Sequence, residues 1–309
     1  MSDIKLVSLI IPTLNRGEVL LNLLDNINGL NSSKNNRFGL EVIIVDQSDI
    51  KFTDVYQLNS NYWFSIKYVH IVKKSLPNAR NIALSNAKGD IYIFIDDDVI
   101  LHEHFLEEHV CQFENAKVGA VAGKVIEDDF IKSVNTDTPS TMYGINNFGK
   151  YYPLRGGNTK NFVYGFPGGN FSIRKAIYEE VGSFDFRYAG TSQLEETDYA
   201  YRLRKHGYVI MFNPGAVLTH LRVPAGGCRV SSLYEKRFWR FHNSTLFFLK
   251  HKNAIYFPLM ALSLSAGGFY EVLKKKYSFS NYLWSLKGFT KGFKTFKEYY
   301  LTNKKSESN

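Results

Sequence analysis

The sequence predicts an α/β chain built around a mostly parallel sheet with flanking helices. Three observations lead there. Short apolar runs alternate with helical patterns through the first hundred residues. The runs are nearly continuous in apolar character, as in strands buried within a sheet. One helical pattern also has proline in its first turn and glycine just past its end.

Residues 6–11, closed by Pro12, form the first expected strand, and 41–45, 65–72 and 91–95 the next three. Between the first two lie Val19, Leu20, Leu21, Leu23, Leu24 and Ile27, an amphipathic helix with Asn15 as its expected cap. A second helix is expected over about 77–88, before Gly89. Residues 127–162 are polar, rich in Asn, Thr and Gly, and without a period, which reads as a long mobile excursion over the site. Order returns at 163–174, followed by helices over 175–181 and 195–206 and a strand over 208–212. There is no internal repeat, low-complexity tract or Walker A loop.

A chain of 309 residues can bury one large core, or one core and an appendage. Its 44% hydrophobic and 22% charged residues are ordinary for a globular enzyme. Two cysteines, Cys111 and Cys228, are too few for a disulfide framework and fit a reducing compartment. The run at 6–11 has strand length and does not suit a secretory signal, so a cytoplasmic location is expected. The net charge of +9 is uneven: residues 229–309 hold 15 Lys and Arg against 4 acids, and 19 of the 47 aromatics. The expected division is therefore a near-neutral domain over 1–228 and a basic, aromatic helical region over 229–309.

In open α/β sheets ligands sit outside the carboxyl ends of the strands. That directs attention to Pro12 and Thr13, to Asp46 and Gln47, and to Asp96, Asp97 and Asp98. The last group closes the apolar strand Ile93-Phe-Ile. Strand alternation turns Asp96 and Asp98 one way and Asp97 the other. Two carboxylates on one side make a hard-oxygen site for Mg2+ or Mn2+, which binds through few carboxylates plus substrate phosphates. A solvated acidic turn is the plain alternative.

Five segments in order resemble family 2 glycosyltransferases. Val7-Ser-Leu-Ile-Ile-Pro-Thr-Leu-Asn15 is similar to their opening strand, and Val42-Ile-Ile-Val-Asp-Gln-Ser48 to their second. Asn78-Ala-Arg-Asn81 resembles the Ala-Arg-Asn helix, and Phe94-Ile-Asp-Asp-Asp98 the DxD motif. Glu195-Glu-Thr-Asp-Tyr-Ala-Tyr-Arg-Leu-Arg-Lys-His-Gly-Tyr208 is similar to the later acidic helix, usually Glu-Asp-x-Asp-Leu. The resemblance spans about 5–225 and implies a GT-A fold and transfer with inversion.

It further implies that Asp46 bonds the nucleotide base in a pocket lined by Thr13, with Pro12 and Asn15 beside it. Asp96 would lie toward the ribose with Asp97 next to it, and Asp98 would hold the metal on the diphosphate. Arg80 would be a cation near base or phosphates, or else a helix arginine in a surface pair. Pro167-Gly-Gly-Asn-Phe171, centred on Gly169, offers close approach to sugar or acceptor, or is a tight turn. Glu196 aligns with the catalytic acid and is the expected base, with Glu195 in reserve. Acidic residues also suit any helix's first turn, and the same dipole keeps Glu196 ionised. Asp198 and Arg202, four apart, are expected to pair. His220 would complete the metal or diphosphate site, or be structural; neutral imidazole is an ordinary Mn2+ ligand. His102 and His104 fall on different helix faces and read as surface residues.

In the tail, residues 254–270 carry no charge but include Pro258 and Gly267-Gly268, at the lower limit for spanning a membrane. Leu286, Phe289, Phe293, Phe296 and Tyr300 recur at three- and four-residue spacing, with Lys287, Lys291 and Lys294 on the opposite flank. A basic helix with an aromatic face suits an anionic membrane interface. Packing on the enzyme's own core is the alternative. No nucleic-acid-binding module is recognisable, and no such partner is expected.

Together these imply a Mn2+- or Mg2+-dependent inverting transferase. The donor would be a nucleotide-diphosphate sugar, UDP favoured and dTDP also allowed. The acceptor would be a hydroxyl of a glycan or lipid-linked saccharide, in cell-surface polysaccharide synthesis at the inner membrane face. A nucleotidyltransferase would need a glycine-rich basic loop where Asn15-Arg16-Gly17 stands. An inactive nucleotide-binding membrane scaffold is kept in play by Glu-Glu standing for Glu-Asp.

Overall fold

The computed structural model describes residues 4–30, 38–52, 62–127, 143–152, 157–224, 226–227 and 232–306, with side chains to Tyr300. The chain forms two compact units. The first comprises Met1–Tyr143, Pro153–Phe184 and Tyr199–Gly227; the second comprises Gly144–Tyr152, Asp185–Asp198 and Cys228–Asn309. The second unit thus draws in two segments upstream of the division at 228 that charge suggests.

In the first unit, β1 (Leu6–Thr13), β2 (Gly39–Asp46), β3 (Ser65–His70) and β4 (Ile91–Ile95) are all parallel. β5 (Val99–Leu101), β6 (Val118–Ile126), β9 (Asn161–Val163), β10 (Asn170–Arg174) and β11 (Val209–His220) extend the sheet in the order β3-β2-β1-β4-β10-β6-β11-β5, with β9 on β11. β6 and β11 are mutually parallel, whereas β10, β5 and β9 run against their neighbours. Side chains alternate between two apolar layers. Val7, Leu9 and Ile11 face α1 (Gly17–Gly29) and α3 (Phe105–Val110). Ile10, Ile43 and Val45 face α2 (Leu76–Asn86) and α4 (Lys175–Val181), together with Tyr199, Ala200 and Leu203 of α5 (Glu195–Lys205).

Several expectations need correction. Asn15 does not cap α1: the cap position is Arg16, and Asn15 adopts a left-handed φ of 55°. Its amide nitrogen donates to Ser48 Oγ at 2.7 Å, so it joins two loops at the strand ends. The strand expected at 208–212 continues to His220 across an irregularity between Asn213 and Val217. Part of the expected excursion, 128–142 and 153–156, lies outside the described residues. The rest supplies β9 and, in the second unit, a hairpin of β7 (Gly144–Ile145) and β8 (Tyr151–Tyr152). Strands of two or three residues are too short to leave a period.

The second unit also contains α6 (Leu233–His251), α7 (Phe257–Leu273) and α8 (Phe279–Ser306). Ser232 begins α6 by accepting from the Glu235 amide, half of a capping box. α6 and α8 pack through small residues: a Cβ at Gly288 would lie 2.2 Å from the Phe238 carbonyl oxygen, and one at Gly292 2.7 Å from that of His242. The buried face of α8 is therefore Tyr282, Ser285, Gly288, Gly292 and Thr295, and not the Leu286–Tyr300 stripe. Within that stripe Phe289 is taken up inside the unit, its ring stacked on Phe241 at 4.4 Å. Phe293 and Tyr300 stay exposed.

Candidate functional site

The carboxyl ends of β1, β4 and β11 converge on an acidic cluster. Asp98 is buried. Its Oδ1 meets His220 Nε2 at 3.2 Å, and its Oδ2 accepts from the Val223 amide at 3.1 Å. Asp96 is half-buried. Asp96, Asp98 and His220 each offer one ligand atom, all within 4.8 Å of one another. Two carboxylates plus an imidazole nitrogen suit Mn2+, and the carboxylates alone suit Mg2+. The other His220 nitrogen, Nδ1, lies 3.0 Å from Glu127 Oε1, the kind of outer contact that fixes the ring orientation of a metal-binding histidine. Glu127 is in turn paired with Arg222.

Asp97, just past the end of β4, is buried and is not one of the three candidate ligands; it accepts from Thr13 Oγ1 and from Arg16, both at 2.6 Å. Arg16 also lies 3.1 Å from Asp98 and donates to the Val223 carbonyl at 3.0 Å. One guanidinium thus ties the β1–α1 loop, two of the acids and the segment after β11. Burial raises the Asp96 and Asp97 carboxyls above the usual range. Asp98 is buried too, but His220, Arg16 and the Val223 amide bring it below that range. The hydrogen bond to Asp98, with help from Glu127, pushes His220 up to about 9.

Gly169 touches this cluster directly, since a Cβ there would stand 2.2 Å from Asp96 Oδ2. Arg80 is buried, so the surface-pair reading does not describe it. It donates to the Gly168 carbonyl at 2.6 Å and lies over the rings of Phe94, Phe171 and Phe184. It braces the glycine turn from beneath. Thr13 spends its hydroxyl on Asp97, and Pro12 is buried beside it. Asp46 is fully buried at the end of β2, its carboxylate held by Ser48 and by the Tyr68 hydroxyl. A ligand reaching Asp46 would have to displace one of those donors. Gln47 accepts from the Ser75 amide at 2.6 Å. His102 and His104 are exposed, as expected.

The second unit holds the first turn of α5. Glu195 is 1% exposed while Glu196 is half-buried, so Glu196 is the acid better open to solvent. The chain enters this turn through two residues in the left-handed region, Ser192 at φ 52° and Leu194 at φ 77°. Such conformations persist only where the surroundings enforce them. Farther along the same turn is Asp198. Its Oδ1 takes Lys250 Nζ at 2.5 Å, His251 Nε2 at 2.7 Å and the Tyr188 hydroxyl at 3.1 Å. Lys250 also reaches Asp185 Oδ2 at 2.7 Å and is almost wholly buried. Arg202 donates to the Val181 and Ser183 carbonyls.

A family model described as Glycosyl transferase family 2 matches residues 8–182. The chain belongs to glycosyl transferase family 2. Among curated proteins, a probable glycosyltransferase, YdaM of Bacillus subtilis (strain 168), is 28% identical over 225 residues, covering 70% of this chain and 51% of that protein. The chain therefore spans about half the length of this relative. Solved structures share the fold. A mannosyltransferase, PcManGT from Pyrobaculum calidifontis, in complex with GDP-Man and Mn2+, superposes with a TM-score of 0.57 at 16% identity, over 94% of this chain and 86% of that one. S. aureus TarS 1–349 in complex with UDP-GlcNAc gives 0.55 at 14% identity, over 84% and 71%. The sheet and helices are those of a GT-A glycosyltransferase.

Two members of this family 2 cluster, Arg16 and Glu127, were not foreseen. Arg16 follows a strand end, a position that could have drawn attention to it. Glu127 closes a strand remote in sequence, so its approach to His220 needs the tertiary fold. Lys250 and His251 likewise sit within an ordinary basic helix end in the sequence.

Proposed function

We propose that this family 2 chain transfers a sugar with inversion from a nucleotide diphosphate to an acceptor hydroxyl, using Mn2+ or Mg2+. The observation that carries the reading is the convergence of Asp96, Asp98 and His220 at the strand ends, with His220 oriented by Glu127. These three residues would hold the ion. Bound there, it supplies positive charge against the departing diphosphate.

The protein's own groups do the rest. Gly169 leaves room beside Asp96, and Arg80 fixes the backbone of that turn. Asp46 is the candidate acceptor for a pyrimidine imide N–H, which favours a UDP-sugar and allows a dTDP-sugar. Glu196 takes the proton of the acceptor hydroxyl. The new bond forms from that oxygen to the anomeric carbon as the bond from that carbon to the diphosphate oxygen breaks on the opposite face. Glu196 is supported by its place in the acidic helix and its partial exposure; Glu195 is buried.

The acceptor is proposed to be a glycan or lipid-linked saccharide of cell-surface polysaccharide synthesis. The chain would act in the cytoplasm, peripherally on an anionic inner membrane face. The basic tail supports that placement. Among the described residues no helix is long and apolar enough to cross a membrane, which suits a peripheral mode. A panel of UDP-, dTDP- and GDP-sugars incubated with Mn2+ or Mg2+ tests the reading. Metal-dependent hydrolysis or transfer with one nucleotide class is expected, and inertness towards all of them would reject it.

A further inference from the structure

The charge-free stretch of the tail forms α7, and its packing is unusual. Only Met260, Leu264 and Gly268 are buried, a single seam against Phe241, Phe248 and Phe289. A helical period of 3.6 puts Leu259, Leu262, Ala266, Phe269, Tyr270 and Leu273 on one stripe, on the side opposite that seam. All six are exposed, Leu262 by 68% and Leu273 by 65%. The preceding turn adds Ile255, 72% exposed. No charge interrupts the stripe. The one acid of α7, Glu271, is paired with Arg237. Scattered apolar residues on a surface need no explanation, but a continuous helical stripe marks a binding surface.

What flanks the stripe identifies its occupant. Lys252 stands before the helix, and Lys274, Lys275 and Lys276 follow it directly, all three exposed. A protein partner would be met by a rim of mixed charge, whereas this rim is cationic at both ends. An apolar face with cationic ends fits the boundary between anionic headgroups and acyl chains. We propose that α7 lies in the plane of an anionic membrane. Its aliphatic and aromatic stripe enters the acyl boundary, and Lys274–Lys276 meet the lipid phosphates. This rests on the peripheral membrane reading above and moves the contact from the aromatic flank of α8 to α7. Phe289 of that flank is already committed within the unit.

Flotation with phosphatidylcholine vesicles, with and without phosphatidylglycerol, tests the assignment on the full chain, beside melting curves and sedimentation. The wild-type chain should float with anionic vesicles and hardly at all with neutral ones. Combined Leu259→Ser, Leu262→Ser and Leu273→Ser should abolish flotation without lowering the melting temperature, because these side chains are exposed. Combined Lys274→Gln, Lys275→Gln and Lys276→Gln should weaken partitioning about 100-fold at low salt. If the serine variant floats normally while Lys287→Glu, Lys291→Glu and Lys294→Glu together release the chain, α8 is the dock and this assignment is overturned. If the wild type never floats, the membrane reading fails with it. If the wild type is a dimer that the serine substitutions dissociate, and no lipid binds, the occupant is a second copy.

Discussion

Replacing Lys250 by methionine removes one ammonium from between two carboxylates while keeping most of the side-chain volume. In the folded chain the Lys250 side chain is 3% exposed, and Asp185 and Asp198 are 5% and 0% exposed. Breaking a buried ion pair by removing one partner costs about 3–5 kcal/mol, because the other charge stays behind without water. Here Asp185 keeps Arg187, and Asp198 keeps His251 and Tyr188, so the lower end, about 3 kcal/mol, is expected. Denaturant titration should show that loss, and Lys250→Arg should restore part of it. The pH dependence is diagnostic. Burial works to raise the Asp185 carboxyl, but Lys250 and Arg187 hold it below the usual range. That contribution is present above a pH of about 4 and disappears as pH falls through the lower folded value. The gap between wild type and Lys250→Met should therefore narrow in acid. A variant within about 0.5 kcal/mol of wild type at neutral pH would refute the reasoning.

Three further outcomes follow from the geometry. Glu196→Gln should leave donor affinity intact and lower the transfer rate by roughly 10²–10⁴-fold; a crippled Glu195→Gln beside a normal Glu196→Gln would reverse the assignment. Gly169→Ala places a methyl against the Asp96 carboxylate, so Mn2+ affinity should drop while the melting temperature changes little, as calorimetric titration can show. His220 is raised to about 9 from its ordinary 6.5, so without metal its stabilising charge is complete below pH 6.5 and lost as pH climbs towards 9. Added Mn2+ should reverse that slope, since the ion competes with the proton on Nε2, and His220→Gln should flatten it; melting curves across pH with and without Mn2+ decide.

Much of the sheet was legible because a strand buried on both faces writes itself as an apolar run. Ile91–Ile95 and the helix Lys175–Val181 sit where their patterns predict. The acid cluster was legible because three acids close an apolar run at the sheet edge where ligands bind. Other features were hidden. Arg16 looks like a loop residue until Asp97, 81 positions away, is folded against it. A lysine 52 residues downstream reaches Asp198, a contact that helix spacing does not announce. In α8 the repeating aromatics suggested a membrane face, and nothing in that period pointed to the glycine and serine residues that let a second helix approach. Close backbone contact depends on missing atoms, which hydrophobic periodicity does not register.

The central claim is that Asp96, Asp98 and His220 form a divalent-metal site serving a nucleotide diphosphate. Electron paramagnetic resonance of Mn2+ titrated into the full chain, with and without UDP, tests it most directly, using wild type and Asp98→Asn side by side. The account predicts that wild type binds one Mn2+ more tightly when UDP is present. It also predicts that Asp98→Asn loses this binding while still folding, as its circular dichroism should show. Equal Mn2+ binding by the two proteins would contradict it.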